Sequence, residues 1–162
     1  MPLLKSLKGQ SDLIEINLKR VMLEDSGMKL LCQGLPTSLR KLNLSCNNLT
    51  LSSVEELCEV VSKRNPGQKF EDLADINLSF NPIGDLSNKP IIAIMKELNM
   101  RTISLQSCFL GSDFIQTEKD RWLELLQGQN FLEEMQIGFN NLSFSDIDFL
   151  QKNTPSQCEI RN

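Results

Sequence analysis
One pattern of leucines, recurring along the whole chain, constrains this sequence more than any other feature. Leu39, Leu42, Leu44, Asn47 and Leu49 fall at the spacing L-x-x-L-x-L-x-x-N-x-L, and Leu73, Ile76, Leu78, Asn81 and Ile83 repeat it. Met100, Ile103, Leu105, Cys108 and Leu110 follow, then Leu132, Met135, Ile137, Asn140 and Leu142. Weaker copies flank these four: Leu13, Ile16, Leu18 and Leu23, with Val21 in the Asn position, and Pro155, Cys158 and Ile160. The copies start 26, 34, 27, 32 and 23 residues apart. Periods of this size mark stacked repeats, in which no unit buries its own apolar face and each closes its core on its neighbours.

Alternation within the motif calls for a short strand, and the apolar spacing between motifs calls for a helix. Met28, Leu31, Cys32 and Leu35 lie on one helical face, as do Val54, Leu57, Cys58 and Val61. Ser52 or Ser53 with Glu55 or Glu56 forms the expected capping box for the second of these. Pro90 stands where a first helical turn tolerates it, ahead of Ile91, Ile94, Met95 and Leu98. Trp122, Leu123, Leu125 and Leu126 fill a buried face, and Ser145 is the expected cap of a helix over 146–151. The longer spacings place bulging loops at 63–71 and 112–120. The expectation is one α/β solenoid domain over 1–162, about six repeats with a parallel inner sheet and outer helices, a fragment of a longer chain.

Composition removes several function classes. The chain has no histidine, so Ser-His-Asp and Cys-His nucleophiles and imidazole metal sites are excluded. The five cysteines are odd in number and form no C-x-x-C pair, against zinc and against a disulfide framework. Four occupy positions where a packed interior wants a small apolar side chain, which reads as reduced thiols. Gly-rich phosphate loops are absent, and the paired acids Glu55–Glu56 and Glu133–Glu134 point apart as sequence neighbours. Neither an enzyme nor a cofactor nor a small-molecule substrate is expected. A net charge of −4 speaks against direct nucleic-acid or membrane binding by the whole surface. No run of apolar residues is long enough to span a bilayer, and the start lacks the layout of a secretory signal. Four N-x-S/T sequences, at Asn43, Asn48, Asn77 and Asn141, follow from the repeat wording rather than from glycosylation.

A partner protein is therefore the expected ligand. The variable positions of each strand face away from the helices and are free to vary with that ligand. Those singled out are Lys19, Arg20, Arg40, Lys41, Asn43, Asp75, Asn77, Phe80, Glu134, Gln136 and Phe139. Basic residues at Lys19, Arg20, Arg40 and Lys41 and acidic ones at Asp75, Glu133 and Glu134 suggest a charge-segregated sheet that would orient its partner. Phe80 and Phe139 share one column, and exposed aromatics of this kind are enriched at binding hot spots.

The strand-turn-helix unit resembles the ribonuclease-inhibitor subclass of leucine-rich repeats over essentially the whole chain. A narrower likeness lies in Ile76-Asn77-Leu78-Ser79-Phe80-Asn81-Pro82-Ile83-Gly84-Asp85, then Ser104-Leu105-Gln106-Ser107-Cys108-Phe109-Leu110-Gly111 and the long fourth unit through Leu132. That succession resembles the carboxy-terminal repeats of Tonsoku-like proteins. The resemblance implies a nuclear scaffold in replication-coupled DNA repair by homologous recombination, with this segment docking a partner repair subunit. Cytoplasm is the alternative location. A ligand-sensing repeat of an innate-immune receptor and a GTPase-activating repeat protein share the subclass and stay open.

Overall fold
The computed structural model describes Leu7, Gln10 and residues 12–62, 70, 72–128 and 131–162. Six three-residue strands form one sheet in chain order: β1 (Glu15–Asn17), β2 (Lys41–Asn43), β3 (Asp75–Asn77), β4 (Thr102–Ser104), β5 (Glu134–Gln136) and β6 (Glu159–Arg161). All neighbours are parallel, and the register brings Ile16, Leu42, Ile76, Ile103, Met135 and Ile160 into one column. Parallel neighbours need a crossover, and helices supply it here. These are α1 (Glu24–Cys32), α2 (Leu51–Ser62), α3 (Asn88–Glu97), α4 (Asp113–Gln116), α5 (Lys119–Gly128) and α6 (Phe144–Asn153). The leucine positions of the motif and the apolar helix faces close a single core along the stack.

Of the motif asparagines, Asn47 and Asn81 are buried and Asn140 is partly so, and all three are saturated. Asn47 Oδ1 accepts the N–H groups of Val21 and Leu23, while its Nδ2 donates to the carbonyls of Leu18 and Leu44. Asn81 repeats this toward Asn47 and Leu49, and Asn140 toward Cys108 and Leu110. Each side chain thus satisfies backbone groups that the sharp turn after a strand would otherwise leave bare inside the protein. Cys108 takes the fourth place with a thiol that donates to the carbonyls of Leu78 and Gln106, and it has no amide oxygen to offer the preceding turn.

Four expectations are corrected. The start of α2 is held by Asp25 of the preceding repeat, which accepts from the Thr50 N–H at 2.9 Å, the Thr50 hydroxyl at 2.6 Å and the Ser53 hydroxyl, rather than by a local Ser–Glu box. Helix α6 is capped by Ser143, not Ser145; Ser143 and Asp146 form a reciprocal box. The 112–120 segment is not a bulging loop: α4 and the start of α5 occupy it, with Phe114 and Ile115 buried. Trp122 packs on Phe114 with ring centroids 5.4 Å apart, and its indole N–H donates to the Phe114 carbonyl at 2.9 Å. An aromatic pair and a satisfied indole offset the ordering of those extra residues. Finally, Cys32 and Cys108 are buried, whereas Cys46, Cys58 and Cys158 are only partly so. The loop expected at 63–71 lies outside the described residues except for Phe70, which is buried.

Candidate protein-binding face
The sheet face turned away from the helices carries two rows of side chains on the strands themselves. The first runs Glu15, Lys41, Asp75, Thr102, Glu134, Glu159 and the second Asn17, Asn43, Asn77, Ser104, Gln136, Arg161, because alternate residues of each strand point the same way. Between β1 and β4 the face forms a shallow depression of about 280 Å³ lined by Lys41, Asn43, Asp75, Asn77 and Ser104.

The acidic residues of β3 to β6 are paired by arginines that the sequence expectation left out of its charge pattern, while Lys19 and Arg20 carry no ion pair among the described residues. Asp75 is gripped by Arg101 through two bonds, Nε to Oδ1 at 3.2 Å and Nη2 to Oδ2 at 2.7 Å, with Lys41 Nζ at 3.9 Å on its other side. That carboxylate raises the Arg101 pKa through the hydrogen bonds and its charge. Arg101 also lies 3.9 Å from Glu133, Arg40 pairs with Asp72 at 3.1 Å, and Arg161 pairs with Glu134 at 2.8 Å and Glu159 at 3.0 Å. Exposed pairs of this kind contribute little to stability, because solvent screens them. Their consequence is a defined pattern of charge on the face rather than stability of the fold.

The edge where the chain leaves β3, β4 and β5 carries exposed aromatic side chains. Phe80, Phe109 and Phe139 stand there in three successive repeats, 51%, 76% and 83% exposed, with Phe144 and Leu86 close by in sequence and also exposed. All three phenylalanines have left-handed backbones, with φ of 60°, 58° and 59°. A bulky residue in that region is disfavoured, and holding an aromatic there in solvent benefits no interior contact. The motif turn dictates the conformation: Arg20, Cys46 and Ser107 occupy the column of Phe80 and Phe139, with φ of 57°, 59° and 50°. The backbone thus requires the turn, while the choice of an aromatic is independent of it.

No protein-family model matches the chain. Among curated proteins it is 24% identical over 160 residues to a Tonsoku-like protein of Danio rerio, covering 97% of this chain and 11% of that protein. It is 32% identical over 134 residues to the human NACHT, LRR and PYD domains-containing protein 12, covering 80% of this chain and 12% of that one. Mouse ribonuclease inhibitor is 28% identical over 145 residues, covering 87% of this chain and 30% of the inhibitor. All three are leucine-rich repeat proteins, and this chain carries the repeat motif and the strand-and-helix unit described above. The chain is a leucine-rich repeat domain of the ribonuclease-inhibitor-like class.

The repeat domain spans about a tenth of the length of the first two relatives. Among solved structures it resembles the leiomodin-1 actin-binding site 2, with a TM-score of 0.62, 16% identity, and coverage of 93% of this chain and 86% of that one, a likeness of fold. No helix among the described residues is long and apolar enough to cross a membrane.

The repeat domain brings Lys41, Asn43, Asp75 and Asn77 together in the central depression and sets Glu134 and Gln136 on the neighbouring strand β5. Phe80 and Phe139 lie on the exit edge, and Arg20 occupies the same turn position in the first repeat, next to Lys19. Arg40 belongs to the opposite edge, in a larger depression with Ile14, Arg101 and the exposed Phe131. Sequence reasoning left Arg101, Arg161 and Phe109 out of the candidate set. Arg101 and Arg161 were readable as outward positions, but their carboxylate partners sit one repeat away, at separations of 26 and 27 residues. Phe109 follows the Cys of its motif, as Met22 follows Val21, and this column also faces solvent.

Proposed function
We propose that this repeat domain docks a partner subunit in replication-coupled DNA repair by homologous recombination, within a nuclear scaffold of the Tonsoku-like kind. The observation that carries the reading is similarity along nearly the entire chain to Tonsoku-like proteins of several vertebrates, 97% of it for the Danio rerio protein and 99% for those of Bos taurus and Mus musculus. The surface supports it: an exposed aromatic row beside a polar, ion-paired sheet gives the apolar anchors and polar surround that protein interfaces use.

Affinity purification of the 162-residue chain from nuclear extract tests this, with a Lys19→Glu, Arg20→Glu, Arg40→Glu, Lys41→Glu variant beside it once circular dichroism shows it folded. Recovery of recombination or replication-fork proteins by the wild type alone supports both the assignment and the open face. Equal recovery by the variant keeps the assignment and moves the site to the Phe80–Phe139 edge or the helices. A second reading, a ligand-sensing segment of a NACHT-type receptor, draws on the 32% identity to the human relative. Failure to recover any repair protein would leave that reading in front.

A further inference from the structure
Three carboxamides lie in register across the first three strands: Asn17 beside Asn43, and Asn43 beside Asn77. Each has its oxygen occupied from within its own strand exit. Asn17 Oδ1 accepts the Lys19 N–H at 3.1 Å, Asn43 Oδ1 accepts the Ser45 N–H at 3.1 Å and hydroxyl at 2.8 Å, and Asn77 Oδ1 accepts the Ser79 N–H at 2.9 Å. Only the oxygen of an amide can accept from a backbone N–H, so the three side chains are fixed in one orientation. Their amino groups are left to the open side, where no acceptor among the described residues meets them.

The other half of the face is arranged differently. There the Ser104 hydroxyl donates to Gln136 Oε1 at 3.1 Å, Gln136 Nε2 donates to Glu134 at 2.8 Å, and Arg161 completes the chain at 2.8 Å from Glu134. Those groups answer one another, whereas the donors of the first half do not. Charge on the first half is of the same donor kind. Lys19 and Arg20 are exposed and have no carboxylate within 4 Å among the described residues. Lys41 is 3.9 Å from Asp75, whose two oxygens are already held by Arg101. Glu15, in register with Lys41, is the one acidic neighbour on β1.

Spacing selects among acceptors. Adjacent strands are ~4.8 Å apart, so the three amino groups recur at that interval. A helix laid across the strands presents one side chain per turn at ~5.4 Å, close to that interval. An extended strand presents same-side residues at ~6.8 Å and falls out of step by the third donor.

The structure therefore assigns, we infer, the β1–β3 half of the open face as the binding site for an acidic helix of a protein partner. Its carboxylates, one per turn, accept from the Nδ2 groups of Asn17, Asn43 and Asn77, and Lys19, Arg20 and Lys41 supply the attracting charge. The inference rests on the docking reading above and names the chemistry of the partner.

The test uses the 162-residue chain and a fluorescent alanine-based helical peptide with Glu on three successive turns, read by anisotropy. A matched peptide with Gln in place of Glu and a short double-stranded oligonucleotide accompany it. Asn43→Asp with Asn77→Asp is the informative variant, since Asp keeps the oxygen that the Ser45 and Ser79 N–H groups need and replaces the outward donor by an anion. The Glu peptide should bind the wild type with a salt-sensitive Kd, and at least about tenfold more weakly to the double variant. Equal affinity for both proteins at unchanged circular dichroism overturns the site, as do equal affinities of the Glu and Gln peptides, tighter binding of the oligonucleotide, or no peptide binding at all. Should the double variant fail to fold, Lys19→Glu with Arg20→Glu, both exposed, is read by the same criteria. Repair proteins captured equally by wild type and by Asn43→Asp/Asn77→Asp overturn this site and leave the docking reading. Selective Glu-peptide binding without any captured repair protein supports the site and removes only the repair assignment.

Discussion

Asn81 Oδ1 accepts the backbone N–H of Asn47 at 2.8 Å, so the asparagine of one repeat fixes the turn that carries the asparagine of the repeat before it. The same side chain takes the Leu49 N–H and donates to the carbonyls of Leu44, Leu78 and Ser79. Asn81→Ala would strand several of these backbone groups in the core, at ~1–3 kcal/mol for each left unanswered. A loss of about 3–5 kcal/mol in urea unfolding is expected. Cys108→Ala, which removes only thiol donors, should cost about 1–2 kcal/mol. Equal costs at the two positions would show that the ladder does not hold the turns as described.

The thiol of Cys108 provides a chemical reporter for the same rung. Burial pushes its pKa up to about 11, against the lowering effect of the Asn81 and Phe80 backbone, and the residue is fully buried. A neutral, inaccessible thiol does not attack alkylating reagents. Mass mapping after iodoacetamide treatment at pH 8 should find Cys108 unmodified in the native protein and modified in denaturant. Native-state labelling of Cys108 as fast as that of the partly exposed Cys46 would contradict the packing.

Two carboxylates tie adjacent repeats together and should give the domain its acid sensitivity. Burial alone would raise Asp146, but hydrogen bonds from Ser112, Ser143 and Gln116 outweigh it and hold its carboxyl below the usual value of 3.8. Asp25 is lowered in the same way, burial being outweighed by Ser53 and Thr50. A folded-state pKa below the unfolded one contributes stability that is present above the unfolded value and is lost as pH falls through the folded value. Asp146→Asn should therefore cost about 2–4 kcal/mol at pH 7, with the gap to wild type narrowing below about pH 4. Urea titrations between neutral and acid pH measure that gap, and a pH-independent difference would refute the linkage.

Phe139 separates stability from binding. It is 83% exposed at φ 59°, so replacing it removes little burial and relieves a disfavoured backbone. Phe139→Asn should leave stability unchanged or raise it by about 0.5–1 kcal/mol, because Asn tolerates the left-handed region. Capture of the partner should fall at the same time. Destabilisation by Phe139→Asn would mean that the ring supports the fold and is not held out for a partner.

The only tryptophan, Trp122, is buried against Phe114, so its fluorescence should follow unfolding of the long fourth unit. Asn81→Ala and Asp146→Asn both touch that unit's neighbours. If the stack unfolds as one body, tryptophan emission and far-ultraviolet circular dichroism should give the same midpoint in each variant. Divergent midpoints would place a boundary of cooperativity between repeats, as one-dimensional stacks allow.

The motif spacing by itself determined the strands, their order and the column from Ile16 to Ile160, buried as far as Met135, because each leucine position has one face it can occupy and each unit can bury it only against the next. It also determined the ladder of Asn47, Asn81, Cys108 and Asn140, since a turn with bare backbone groups needs a side chain of that kind. What sequence could not supply were partners one repeat away. Thr50 and Ser53 are capped by Asp25, Asp75 is paired by Arg101, and Asp146 is reached by Ser112 and Gln116, all across 25 to 34 positions of chain. Local rules for caps and charge patterns work over three or four residues, so they proposed Ser145 and passed over the Arg101 and Arg161 pairs. Stacking brings side chains from successive repeats to within hydrogen-bond distance, and only the tertiary structure decided which of them meet and which, like the Asn43 and Asn77 amino groups, are left facing outward.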